Sequence, residues 1–239
     1  MSMHPDTDAA DGAGALFSVV IPTLNEAGRI EDCVRAVRGS GVQVIVVDGG
    51  STDGTVAIAQ AAGARVVQSQ PGRATQMNQG AVAATAPIVL FLHADTKLPG
   101  DWQQLIDSAL AAGSAWGRFD LRFDDPHPLL KVVAFAINGR SRLTGIATGD
   151  QAIFLSRGMW LRSQGYAAIA LMEDIELSRR LKRLAGAPAC LRSTVTTSAR
   201  RWRRDGIVRT IFLMWWLRWR YFAGASPNDL YENYYGRRS

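Results

Sequence analysis

Cysteine and histidine are both scarce in this chain: its 239 residues include two cysteines, Cys33 and Cys190, and three histidines. Two cysteines cannot build a disulfide framework, and without a C-x-x-C pair a structural zinc site is excluded as well. Reduced thiols and an intracellular, cytoplasmic protein are therefore expected. No run of about 20 apolar residues occurs, so no ordinary membrane-spanning helix is expected. The first residues lack the basic start and apolar stretch of a secretory signal; residues 1–16 read as a disordered leader. Three catalytic signatures are missing too. There is no G-x-x-x-x-G-K-[ST] phosphate loop, no G-x-G-x-x-G after the first apolar run and no G-x-S-x-G elbow. P-loop NTPases, dinucleotide enzymes and hydrolases built on that elbow are thereby set aside.

What is present can bury a sizeable core: 47% of the residues are hydrophobic and 20% charged, which excludes a disordered or collagen-like chain. The length suits one large domain, or one domain with a small extension. The net charge of +6 is unevenly spread. Residues 1–178 hold 13 basic and 18 acidic side chains; residues 179–239 hold 14 basic, 3 acidic and four of the seven tryptophans. A basic aromatic end on a mildly acidic body predicts chemistry in the body and contact with something anionic at the end.

Apolar spacing alternates between strand and helix periods. Residues 17–22 (FSVVIP), 42–47 (VQVIVV), 64–68 and 88–92 (IVLFL) read as strands. Residues 25–38, 53–62, 74–84 and 101–112 read as helices, with Ile30, Val34 and Val37 on the apolar face of the first. This order predicts an α/β fold with a mostly parallel central sheet flanked by helices. Afterwards the rhythm changes: a strand over 115–123, a helix over 127–142, a short strand over 152–155, a helix over 173–184, a strand over 194–198 and a basic aromatic helix over about 204–222.

Open parallel sheets bind ligands beyond the carboxyl ends of their strands, and here those ends carry polar clusters. The first strand runs into Pro22-Thr23-Leu24-Asn25-Glu26, the second into Asp48-Gly49-Gly50-Ser51-Thr52-Asp53, the fourth into His93-Ala94-Asp95-Thr96. Each cluster alone also fits a bland role, with Asn25, Ser51 or Thr52 capping a helix. Asp48 is a carboxylate suited to accept a base or ribose hydrogen bond, and the glycines let backbone approach a flat ligand. His93 and Asp95 lie on one side of an extended segment and can hold Mg²⁺ or Mn²⁺ against a diphosphate. Arg73 is placed to reach the same phosphates.

These clusters, in this order and spacing, resemble the family 2 glycosyltransferases of GT-A fold. Val19 to Glu26, Val46 to Thr55 and Phe91 to Thr96 carry the likeness, and Met172-Glu173-Asp174-Ile175-Glu176-Leu177 is similar to the family's acidic motif at a helix start. The segments 149–154 and 198–202 also resemble a small bacterial subgroup associated with radical-enzyme and selenium-related domains. The resemblance implies transfer of a sugar from a nucleotide diphosphate donor, UDP- or GDP-linked, with inversion and a divalent metal. It implies that Pro22, Thr23, Glu26 and Asp48 hold the nucleoside, with Gly50 and Ser51 in the same loop, and that Arg73 meets base or phosphate. Asp95 would bind the metal and Asp174 would be the general base with Glu173 beside it, while Asp150 would either touch the acceptor or satisfy the turn between Gly149 and the following strand. The chain departs from the family's usual Asp-x-Asp at His93, which is left to ligate the metal, bond the ribose or shape the loop.

Near residues 198–204, processive members of the family carry Gln-x-x-Arg-Trp; here Ser198 replaces the glutamine while Arg201-Trp202 remain. With one short domain and no membrane channel, one sugar per encounter is expected, with Arg201 stabilising the leaving diphosphate or else lying on a solvated basic face. Residues 207–222 (IVRTIFLMWWLRWRYF) fit a helix at an anionic membrane surface, which would place the protein peripherally on the inner face of the membrane and favour a lipid-like or small-molecule acceptor. The other readings are a helix packed on the body or on a second copy in a homodimer. No nucleic-acid recognition motif accompanies the charge. The expected organisation is a leader over 1–16, the catalytic domain over 17–200 and a basic helical extension over 201–239. A non-catalytic, membrane-associated nucleotide-binding module is the alternative, since fold alone does not fix function.

Overall fold

The structure, a computed structural model, describes residues 14–236. Up to residue 13, the expected leader lies outside the described residues. Four strands, β1 (Phe17–Thr23), β2 (Val42–Asp48), β3 (Arg65–Gln68) and β4 (Ile88–Phe91), alternate with helices α1 (Ala27–Val37), α2 (Thr55–Ala61) and α3 (Arg73–Ala83). A two-residue strand β5 (Thr96–Lys97) precedes α4 (Trp102–Ala111). The second half adds β6 (Trp116–Phe123), α5 (Pro128–Thr144), a 3₁₀ turn over Gly149–Gln151, β7 (Phe154–Ser156), α6 (Arg157–Ser163), α7 (Glu173–Ala185) and β8 (Ala189–Thr197). Three helices end the described chain: α8 (Arg200–Asp205), α9 (Ile207–Phe222) and α10 (Pro227–Tyr235).

All eight strands join one sheet in the order β3-β2-β1-β4-β7-β6-β8-β5. The first four pair in parallel, as do β6 and β8, while β7 runs antiparallel between β4 and β6. Alternate residues of each strand face opposite layers. Phe17, Val19, Ile21, Val44, Val46, Leu90 and Phe119 bury one face under α1, α2 and α4. Val20, Ile45, Val47, Val89 and Phe91 bury the other under α3, α6 and α7. Helix α3 sits unusually close to the sheet: a Cβ at Gly80 would come within 2.3 Å of Val20 Cγ1 and 2.8 Å of Val47 Cγ2. A third apolar cluster joins Met172 and Ile175 at the start of α7 to Leu217 of α9 and Leu230 of α10.

The helix expected over 204–222 is in fact two, because Gly206 takes φ +86°, outside helical space, and separates α8 from α9. The last strand begins at Ala189, earlier than the expected 194, and has a register shift opposite Phe119/Asp120. Helices α6 and α10 were not anticipated, though both carry start signals. Ser156 caps α6 by accepting from the Met159 N–H, and Ser226 precedes Pro227 at the start of α10.

Candidate active site

Thr23 and Asp48 lie opposite each other at the ends of β1 and β2, so the loops after them leave side by side. Gln76 of α3 ties the two ends together, its Nε2 donating to the carbonyls of Thr23 and Val47, both at 2.8 Å. The loops are then laced. The Asn25 N–H donates to Ser51 Oγ, the Thr52 N–H to Asn25 Oδ1, the Glu26 N–H to Thr55 Oγ1, and the Ala27 N–H to Asp53 Oδ2. Asn25 adopts φ +55°, which asparagine tolerates better than most residues. Asp48 Oδ2 accepts the N–H groups of Gly50 and Ser51 at 3.0 and 2.9 Å. Its Oδ1 is buried and has no hydrogen-bond partner. Thr23, by contrast, is turned into the protein: it is buried, and its hydroxyl donates to the Val47 carbonyl. Pro22 remains partly exposed at the strand end.

Beyond β4 the chain turns through His93-Ala94-Asp95, closed by the Thr96 N–H on the His93 carbonyl. His93 Nδ1 lies 3.0 Å from Asp150 Oδ1, and its ring rests against Gly149, where an added Cβ would come within 2.7 Å of Nε2. His93 therefore holds the 3₁₀ turn as well as its own loop. Asp95 is partly exposed, and it and Glu26 are both close enough to Cys33 to be felt there. Burial, with those two carboxylates adding to it, pushes the Cys33 thiol up to about 12.

The 3₁₀ turn and the start of α7 meet through Asp174. Its Oδ2 accepts the Gly149 N–H at 2.9 Å and its Oδ1 the Ile175 N–H at 2.7 Å. Burial raises its pKa and the charge of Asp150 adds to this, against the two N–H groups and Arg73. Glu173 is more deeply buried; desolvation and the neighbouring Asp174 push it up to about 7, with Arg73 and His93 opposing. Asp150 goes the other way. Burial disfavours its charge, but the His93 bond and the charges of His93, Arg73 and Arg201 hold it below the ordinary carboxylate range. Acid and base forms are thus separated among three carboxylates in one place.

Arg73 opens α3 and faces this group. Burial works against its charge, yet Tyr235, Glu173, Asp150 and Tyr234 raise its pKa above the usual arginine value. Arg73 and the half-exposed Asp150 side chain are both reached by solvent on this open side of the site. Its further wall comes from the C-terminal helices. The guanidinium of Arg201 stacks 3.6 Å from the Tyr234 ring centroid, and Arg200 pairs with Glu26 at 3.4 Å. Burial pushes the Tyr234 hydroxyl up to about 12, although Arg201 pulls against it. The tyrosines are functional candidates that the sequence reading missed; the run Tyr231-Glu232-Asn233-Tyr234-Tyr235 was the available signal, but nothing local placed it over the cleft.

The fold therefore gathers Asp48, Arg73, His93, Asp95, Asp150, Glu173, Asp174 and Arg201 around one cleft edge. Among the described residues there is no group of three or more His, Cys, Asp or Glu side chains able to hold a metal by themselves. Asp95 offers one hard oxygen ligand, which fits a cation that takes most of its remaining ligands from water and a bound diphosphate. His93 fits less directly, since Asp150 already engages its Nδ1.

A mostly parallel sheet flanked by helices, with acidic loops at the carboxyl ends of its strands, is the GT-A architecture. The chain belongs to glycosyl transferase family 2, whose family model matches residues 18–168. An uncharacterized glycosyltransferase of Mycobacterium tuberculosis is 38% identical over 96 residues, covering 39% of this chain and 44% of the relative. Glycosyltransferase AglJ of Haloferax volcanii is 42% identical over 80 residues, covering 32% and 26%. The glucosyl-3-phosphoglycerate synthase of Mycolicibacterium smegmatis is 37% identical over 103 residues, covering 38% and 34%. The chain spans less than half the length of each of these relatives. Among solved structures, glucosyl-3-phosphoglycerate synthase from Mycobacterium tuberculosis, in complex with Mn²⁺, UDP and glucosyl-3-phosphoglycerate, superposes with a TM-score of 0.57 at 21% identity, covering 77% of this chain and 71% of that one. S. aureus TarS in complex with UDP-GlcNAc gives a TM-score of 0.61 at 16% identity, covering 76% and 58%. At these identities the structural likeness concerns the fold.

Proposed function

We propose that the protein is an inverting glycosyltransferase that moves a sugar from a nucleoside diphosphate donor to an acceptor hydroxyl. The observation that carries this reading is the position of Asp174: a carboxylate oriented by two backbone N–H groups, facing the cleft into which the ends of β1, β2 and β4 open. The orphaned Oδ1 of Asp48 supports a donor whose base presents a ring N–H, as uracil and guanine do. UDP is favoured over GDP by the UDP and UDP-sugar complexes of the structural neighbours. Asp95 would hold a divalent cation, Mg²⁺ or Mn²⁺, which neutralises charge on the leaving diphosphate. Arg73 and Arg201 add fixed positive charge on the same side. Asp174 takes the proton of the attacking hydroxyl, and the two N–H groups keep its carboxylate aimed without protonating it. Asp150, held charged by His93, completes the cleft wall on the acceptor side.

The acceptor is expected to come from, or near, a membrane. Helix α9 turns Leu217 inward and leaves Phe212, Trp215, Trp216, Trp219 and Phe222 exposed along one side, with Arg220 close over the Trp216 ring. No helix among the described residues is long and apolar enough to cross a membrane, so this stripe suits an interfacial position. The test of the catalytic reading is calorimetric UDP binding alongside turnover of a UDP-sugar donor. UDP should bind more tightly in Mn²⁺ than in EDTA. Asp174→Asn should keep that affinity and lower transfer by about 10²-fold or more. Loss of UDP binding in Asp174→Asn would withdraw the base assignment, and no UDP or GDP binding to the wild type would withdraw the reading.

A further inference from the structure

Arg140, near the end of α5, is partly buried, and two of its guanidinium nitrogens, Nε and Nη2, are fully buried without a hydrogen-bond partner. Among the described residues no ion pair joins it to an acid. Its charged neighbours are known from two sides. Asp174, from the start of α7, favours its charge, and Arg118, from β6, opposes it. Asp174 makes its hydrogen bonds to the Gly149 and Ile175 N–H groups, and among the described residues neither Nε nor Nη2 of Arg140 has one. Arg118 is itself fully buried; it pairs with Asp120 and donates to the Asn138 carbonyl, while its Nε is left unpartnered. Asp120 is shared further, its Oδ2 accepting from Arg142 at 2.6 Å. Arg118 and Arg142 thus share one aspartate, while Arg140, which feels the Arg118 charge, has no such pairing among the described residues. A desolvated cation without a counter-ion is costly, and a ligand oxyanion would relieve that cost.

We infer that Arg140 anchors a carboxylate or phosphate group of the acceptor, which sets the acceptor's hydroxyl against Asp174. The inference rests on the glycosyltransferase reading for the word acceptor; the oxyanion site itself does not. The geometry favours a bidentate contact, since Nε and one Nη form the edge that a planar guanidinium offers to two oxygens. The acceptor class is then a hydroxy acid or an alcohol phosphate, including a lipid that carries such a headgroup, and not a neutral sugar or alcohol.

The test titrates glycolate, inorganic phosphate and ethylene glycol separately into the full chain saturated with UDP and Mg²⁺, so that the diphosphate subsite is occupied. Glycolate or phosphate should bind saturably and ethylene glycol should not; the tighter of the two anions tells carboxylate from phosphate. Arg140→Met should weaken anion binding at least tenfold and leave UDP affinity unchanged, with Arg140→Lys in between. Because the wild-type charge is uncompensated without ligand, Arg140→Met should also show a thermal midpoint no lower than the wild type. Equal anion binding in wild type and Arg140→Met, or equal binding of ethylene glycol, would overturn the site. So would a large fall in the midpoint of Arg140→Met, restored by Arg140→Lys, which would mark a structural arginine. If UDP fails to bind, the glycosyltransferase reading falls, while the same anion titrations on nucleotide-free protein still decide Arg140.

Discussion

Glu173 and Asp174 are adjacent in sequence and differ in what burial does to them. Asp174 has two N–H donors to offset its desolvation, whereas Glu173 sits deeper, with the Asp174 charge beside it. A carboxyl with a raised folded-state pKa binds more protons folded than unfolded. Its stabilising contribution is therefore full below its unfolded value of 4.5 and is lost as the pH rises through about 7. Glu173→Gln should remove this loss, so that at pH 8 the variant is more stable than the wild type by roughly 1–3 kcal/mol. Urea unfolding at pH 5 and pH 8 measures the difference; an unchanged gap between the two proteins at both pH values would refute the buried, protonatable Glu173. The asymmetry was not legible in Glu-Asp as a dipeptide. It depends on the Gly149 N–H, 25 positions away in the chain, reaching Asp174 and not Glu173.

Two glycines show how whole elements position the site. Gly149 begins the 3₁₀ turn with its Cα against the His93 ring. Gly149→Ala adds a methyl where the ring stands, so the His93–Asp150 pair must separate. Donor turnover should fall about 10- to 100-fold with little change in thermal midpoint; turnover within twofold of the wild type would mean that His93 does not set the geometry. Gly80 lies one turn beyond Gln76, where α3 crosses β1 and β2. Gly80→Ala should gain helix propensity but overpack Val20 and Val47, for a net loss of about 1–2 kcal/mol. A stabilised variant would show that α3 can move off the sheet. Apart from the two-residue β5, the strands and helices through residue 112 were readable because each repeats its apolar face at the period of its own geometry. Helix α10 was not, since a nine-residue element with one buried leucine has little periodicity to show.

The molecule as a whole has a cleft walled on one side by its own C-terminal helices and an aromatic stripe beyond it. Helix α5 contacts α9 and adds exposed Val132 and Phe135. With the basic side chains of α8 and α9, this composition predicts binding to vesicles containing phosphatidylglycerol, weakening as NaCl is raised from 50 to about 500 mM. Trp215→Ser with Trp219→Ser should lower the bound fraction several-fold in a co-sedimentation assay and leave UDP affinity intact. Unchanged vesicle binding in the double variant would remove the membrane role from this stripe. A concentration-dependent dimer that the same substitutions dissolve would give the stripe to a second copy instead.

Strand and helix order, the parallel half of the sheet and the three acidic strand ends follow from the sequence alone, because they depend on local periodicity and on where apolar runs stop. The expected roles of Asp48, Asp95 and Asp174 also begin there, in motifs only a few residues long. The tertiary structure decided what those side chains meet. It turned Thr23 inward onto the Val47 carbonyl, gave His93 to Asp150, broke the last basic helix at Gly206 and laid Tyr234 over Arg201. It also left Nε and Nη2 of Arg140 without a partner, with the charges of Arg118 on β6 and Asp174 on α7 felt there. None of these contacts joins residues within one turn or strand. Desolvation and pairing depend on all the atoms around a group, and the fold brings those atoms together from distant parts of the chain.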